Sequence, residues 1–169
     1  MPGSEADFER LYRSAYRPIL GTLITLLGDP VAAEDCTQDT FERAYRGWKG
    51  WRPEAPAEAW LHRIAINVAI SEKRYNRLRS TGEIIKRLGR PTSPPDPASL
   101  AERSDIVKAL GKLPTKQAAA IVLRHYHGYS NREIATALGV PEQTIASRLG
   151  AARKQLQVTL SELRKPKNG

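Results

Sequence analysis

Glu142, Gln143, Thr144, Ser147 and Arg148 fall within seven residues of one helix-forming run. At that spacing amide, hydroxyl and guanidinium groups share the outer side of a helix, where they can meet base edges and phosphates in a major groove. Arg153 and Lys154 carry the basic edge onward, and Arg132 adds a cation from the segment before. The surrounding stretch, SNREIATALGVPEQTIASRL (130–149), supplies the frame. Ser130 with Glu133 makes a capping box for a first helix. Ala135 is small where a second helix must cross, and Gly139 sits at a turn whose left-handed backbone excludes most side chains. Pro141 opens the second helix, with Ile145 and Leu149 facing inward. A plain helical hairpin would need only the glycine turn; the whole set predicts a helix-turn-helix that binds duplex DNA.

A second constellation lies in the first half. Trp48, Trp51 and Trp60 are the only tryptophans of the chain, gathered around the loop WKGWRPEAPAEAW. Trp60 is in register with Ile64 and Val68 and belongs to a core. Trp48 fits either core or surface, and Trp51 is evenly divided between packing and stacking on a base. Arg63 and Asn67, four apart on one helical face, with Arg74 and Arg77 beyond, place cations and an amide beside these rings. Such a mixture holds single-stranded nucleic acid, since stacking contributes about 1–3 kcal/mol per base. A third group is acidic: Glu34, Asp35, Asp39 and Glu42 line one side of a helix. Like charges four apart cost an isolated helix a few tenths of a kcal/mol, and the helix dipole relieves only the pair nearest the N-terminus. That stripe is either a solvated face or a docking face for a basic protein.

The elements that must position these groups are helical throughout. Phe8, Leu11, Tyr12, Ala15 and Ile19 mark one face, continued by Leu20, Leu23, Ile24 and Leu27, with Pro18 expected to end or kink the helix. Asp29 and Pro30 restart the chain as N-cap and first helical residue, and the next helix, to about Arg46, buries Ala33, Thr37, Phe41, Ala44 and Tyr45. A third helix runs from Trp60 to about Asn76. Residues 80–99 read as a flexible, proline-rich linker, ending in RPTSPPDPAS. Residues 100–169 are helical again. The fold class is all-α: two small helical domains joined by a tether.

Composition narrows the function further. Lys plus Arg is 27 against 18 for Asp plus Glu, a net charge of +9 that suits a polyanionic partner. Cys36 is the sole cysteine, which excludes a disulfide framework and a cysteine-based metal site. His62, His125 and His127 make no metal or triad constellation, so neither metal, cofactor nor catalytic site is expected. The N-terminus lacks a signal-peptide pattern, and the run Ile19 to Leu27 is far short of the ~20 apolar residues that span a bilayer. A cytoplasmic protein without membrane contact of its own is expected.

Three stretches in order resemble one family. AEDCTQDTFERAYR (33–46) resembles region 2.2 of the extracytoplasmic-function (ECF, group 4) sigma factors of bacterial RNA polymerase, in the sigma-70 family. AWLHRIAINVA (59–69) resembles their next motif, and residues 110–156 are similar to region 4. The resemblance implies a region 2 domain over 1–79, a linker over 80–99 and a region 4 domain over 100–169. It implies an initiation factor, not an enzyme, that directs core polymerase to promoters. Glu34, Asp35, Gln38, Asp39 and Glu42 would dock on the β′ clamp helices. The loop 48–59 and the helix of Asn67 would read the melted −10 non-template strand, the helix-turn-helix would read the −35 duplex, and region 4 would touch the β flap. An anti-sigma factor is a further partner the family implies. The sequence departs from the family at Ala146, where a lysine is usual, and at Ile66 and Ser71, where Arg and Asp are common. A helix-turn-helix regulator acting without polymerase is the alternative, but it leaves the acidic helix, Trp51 and Asn67 without a task.

Overall fold

A computed structural model describes residues 3–54, 56–86 and 105–166, with side chains along the third helix described as far as Asn76. Helix α1, Glu5–Leu27, begins where the Ser4 hydroxyl accepts the Asp7 amide. It stops at Gly28, whose φ of 69° is a left-handed cap with its N–H bonded to the Ile24 carbonyl. Asp29 then accepts the Val31 amide and starts α2, Pro30–Gly47. A 3₁₀ turn, Trp48–Gly50, leads through an extended loop to α3, Ala57–Lys86. The three helices pack pairwise through Ile19, Leu23, Leu26, Ala33, Phe41 and Leu61, all nearly solvent-free.

The second unit holds α4 (Asp105–Lys112), α5 (Thr115–Ile121), a π-helical turn (Val122–Tyr126), α6 (Asn131–Leu138) and α7 (Glu142–Arg164). Helix α7 is its spine, with α4, α5 and α6 laid against it. Ile134, Ile145 and Leu149 form the centre of that contact. Among the described residues there is no strand.

Three features differ from the sequence reading. Helix α1 passes through Pro18 without ending. Proline removes one backbone hydrogen bond and costs about 3 kcal/mol or more. Burying Ile19, Thr22, Leu23 and Leu26 beyond it against α2, α3 and the second unit holds the continuation in place. Helix α3 runs ten residues past Asn76, to Lys86, so the expected linker at 80–99 starts as helix and the rest of it lies outside the described residues. A basic run is not a helix breaker; the first proline after this run is Pro91. Finally, the two units share one continuous apolar core, α4 and α5 lying on α1, and α5 and α6 on α3.

Candidate nucleic-acid and polymerase interface

The helix-turn-helix forms as its residues dictate. The Ser130 hydroxyl accepts the Glu133 amide at 3.1 Å while the Glu133 carboxylate accepts the Ser130 amide at 3.1 Å. That reciprocal cap fixes the start of α6. Its end is Gly139, at φ 68° and ψ 36°, with Ala135 buried beneath the crossing. Pro141 is the N-cap of α7. Burial of Ile145 and Leu149 then turns Glu142, Gln143 and Ser147 to solvent, with Thr144 and Arg148 partly covered. Ala146 is also exposed, so the departure from the family's lysine lies on the outward side. Arg132, Arg153 and Lys154 are exposed as well, Arg153 standing 3.4 Å from the His125 imidazole.

The tryptophans divide by role. Trp48 is 5% exposed, and its indole N–H donates to the Ser4 carbonyl at 2.8 Å. It packs edge-on against Phe8 and tilted against Trp60. This ring is therefore core, and the sequence-based pairing of Trp48 with DNA gives way to a supporting position. Trp51 lies stacked on it, centroids 5.1 Å apart and planes 9° apart, and stays half-buried. One face of the Trp51 ring is thus held by a buried neighbour. Arg63, Asn67 and Arg74 are exposed along α3; the side chain of Arg77 lies outside the described residues.

On α2, Glu34, Asp35, Gln38 and Glu42 are exposed and Asp39 is half-buried. The like-charge cost expected from the sequence is relieved within the helix, since Arg43 bonds Asp39 and Arg46 bonds Glu42, each at 2.9 Å. Among the described residues no ion pair engages Glu34 or Asp35, so the net acidity gathers at the N-terminal half of α2. A cleft of about 320 Å³ between α2 and α3 continues it, lined by Asp35, Asp39, Glu72 and the exposed Tyr75, with Cys36 at its base. Burial, then Glu72, Asp39 and Asp35, push the Cys36 thiol up to about 11. Glu72 and Tyr75 escaped the sequence reading. The signal was present in the spacing of Val68, Glu72 and Tyr75, one helical stripe that faces α2.

Among the described residues no helix is long and apolar enough to cross a membrane, and no three His, Cys, Asp or Glu side chains could hold a metal ion.

The family of the chain follows from its relatives. The sigma-70 region 2 family matches residues 11–79, and the sigma-70 region 4 family matches 103–156. ECF RNA polymerase sigma factor SigL of Mycobacterium tuberculosis is 38% identical, with 95% of each chain covered. The RNA polymerase sigma-E factor of Streptomyces coelicolor is 32% identical over 94% of this chain and 88% of its own. Two solved structures share the fold. The sigma factor RpoE of Bartonella quintana, in complex with the anti-sigma factor NepR, has a TM-score of 0.65 at 27% identity, covering 92% of this chain and 97% of its own. CnrH, in complex with the cytosolic domain of CnrY, has a TM-score of 0.68 at 26% identity, covering 95% of this chain and 91% of its own. With both regions matched in order and a relative alike along nearly its whole length, the chain belongs to the ECF sigma factors of the sigma-70 family, transcription initiation factors that act with RNA polymerase on promoter DNA.

Proposed function

We propose a division of that activity among the faces described above. The N-terminal unit, assigned to residues 1–79, docks on core polymerase through Glu34, Asp35, Gln38, Asp39 and Glu42, with the β′ clamp helices as the basic partner. Trp51, backed by Trp48, stacks a base of the opened −10 strand, while Arg63, Asn67, Arg74 and Arg77 hold its backbone and edges. The C-terminal unit, assigned to 100–169, reads the −35 duplex. There Gln143, Thr144, Ser147 and Arg148 approach base edges, Glu142 can accept from a cytosine amine, and Arg132, Arg153 and Lys154 hold phosphates. The same unit meets the β flap. The protein works in the cytoplasm, and an anti-sigma factor holds it in reserve, as the complex of its structural relative RpoE with the anti-sigma factor NepR suggests.

The observation that carries this reading is the exposed acidic half of α2 on a protein of net charge +9. A factor that met only DNA would gain nothing from it. The test is transcription in vitro from pooled genomic DNA by sigma-free core polymerase with the purified protein, mapping the 5′ ends. New start sites sharing two spaced upstream motifs are expected. Duplex binding without new starts and without co-elution with core would instead establish a regulator that acts without polymerase.

A further inference from the structure

Where the second unit meets the first, the shared apolar core is interrupted by a polar cluster. Thr22 of α1 and His62 of α3 are each 1% exposed. The Thr22 hydroxyl lies 3.2 Å from His62 Nε2 and 2.8 Å from Nε2 of His127, a half-buried residue of the second unit. The two imidazoles are 4.5 Å apart. The protons in this cluster can be assigned. His62 Nδ1 lies 2.9 Å from the Glu58 carbonyl, which can only accept, so Nδ1 carries the proton and Nε2 is an acceptor. Thr22 has one hydroxyl proton, shared between the Pro18 carbonyl at 3.0 Å and His62 Nε2 at 3.2 Å. His127 must then be protonated on Nε2 and donate to the Thr22 oxygen. With both rings neutral the chain of bonds closes through that shared proton.

Local geometry brings His127 there. The turn Val122–Tyr126 is π-helical, a rare form, and the His127 amide reaches back five residues to the Val122 carbonyl. Gly128 follows at φ 75°. A second contact reinforces the first: the Arg63 guanidinium lies over the turn of the helix-turn-helix, 3.3 Å from where a side chain on Gly139 would start.

We propose that Thr22, His62 and His127 form a latch between the two units, closed when both imidazoles are neutral and released by their protonation. The closed form cannot occupy a promoter. Elements named −35 and −10 stand about 25 base pairs apart, roughly 85 Å at ~3.4 Å per pair, whereas a compact chain of this length has a radius of gyration of about 15 Å. The helix-turn-helix also rests against the helix that carries Arg63 and Asn67. Opening is therefore a step of initiation. A hydroxyl and two imidazoles within that interface suit the step, because these groups rehydrate when it parts.

Among the described residues no carboxylate forms an ion pair with either ring. Helix α1 has no charged residue between Arg17 and its end at Leu27. From α3, Glu58 meets His62 through its backbone carbonyl, and Arg63 lies toward Gly139. Around His127 stand Tyr126 and Tyr129, with Arg124 donating to the Tyr129 carbonyl and His125 turned to Arg153. Glu58 and, from α6, Glu133 act on Tyr129, whose phenol is raised chiefly by burial. Burial, then His127, push the His62 imidazole down to about 4, and burial lowers His127 too. A depressed imidazole stabilises the closed form fully above its ordinary value of about 6.5, and that stability is lost as pH falls toward 4. For His62 alone, moving from pH 7.5 to 5.5 shifts the equilibrium toward the open form about tenfold.

The test uses the full chain with a donor and an acceptor dye on Glu9→Cys and Gln157→Cys, both exposed positions. The buried, high-pKa Cys36 stays unlabelled at neutral pH. Single-molecule energy transfer then counts open and closed molecules, with circular dichroism following helix content. The open-to-closed ratio should rise about tenfold between pH 7.5 and 5.5 at constant helix content. Thr22→Val should be open already at pH 7.5 and lose most of the pH response, while Thr22→Ser keeps the parental profile. If Thr22→Val does not fold, His127→Gln, altered at a half-buried site, is read in its place. A ratio flat across this range, or a Thr22→Val or His127→Gln protein with the parental pH profile, overturns the latch. None of these readouts involves polymerase or promoter, so they stand apart from the proposed division of DNA contacts.

Discussion

At the scale of single residues, the two stacked tryptophans separate structure from function. Trp48 is buried against Phe8 and anchored by its indole N–H, so Trp48→Ala should cost about 3–5 kcal/mol of folding stability. Trp51 rests on it half-exposed. Trp51→Ala should leave the melting temperature within a few degrees and weaken promoter opening by about 1–3 kcal/mol, the worth of one stacked base. Thermal melts and permanganate footprints of the −10 region read the two effects separately. Equal footprints for Trp51→Ala and the parent would assign that ring to packing alone. Sequence could not divide the pair, because both rings sit beside glycine and proline in the same loop. What separated them was Ser4, a carbonyl 44 positions away in the chain.

At the scale of elements, ends were legible and continuations were not. Ser130 with Glu133, Gly139, and Asp29 before Pro30 each act within four residues, so local sequence contains the whole cause. The passage of α1 through Pro18 depends on what Ile19, Thr22 and Leu23 pack against, which is tertiary. Thr22 is buried although its hydroxyl interrupts the apolar stripe; it bonds the Pro18 carbonyl of its own helix and meets partners from α3 and the second unit. The acidic residues lie along the outer side of α2, and their relief by Arg43 and Arg46 at a spacing of four is equally local. Gly139 carries a prediction at this scale. At φ 68° a β-carbon costs about 1–2 kcal/mol, and Gly139→Ala would also press on Arg63. Chemical denaturation should register a loss of about that size. The guanidinium is a flexible end and can move aside, so the backbone strain is the larger part. A neutral substitution would mean that the turn relaxes out of the left-handed region, with the recognition helix re-aimed.

At the scale of the whole molecule, the arrangement of charge should govern the choice of partner. A protein of net charge +9 is drawn to any nucleic acid, and salt weakens that attraction because bound counter-ions are released. The half of α2 with Glu34 and Asp35 is the opposite pole, extended by Glu72 across the cleft to α3. If this pole docks on a basic surface of core polymerase, association should weaken as salt rises, since at 0.1 M charges are screened beyond about 10 Å. The double reversal Glu34→Lys with Asp35→Lys should lower affinity for core at least tenfold and flatten its salt dependence. Both side chains are exposed and have no ion pair among the described residues, so the fold has little to lose. Duplex binding by α7 should be unchanged or slightly stronger, because the added charge is positive. Anisotropy of the labelled protein, titrated with core and separately with duplex DNA from 50 to about 300 mM salt, reads both limbs. A reversal variant that keeps the parental slope on core would move the docking site off α2. Equal losses on core and on DNA would mean a damaged fold rather than a lost contact.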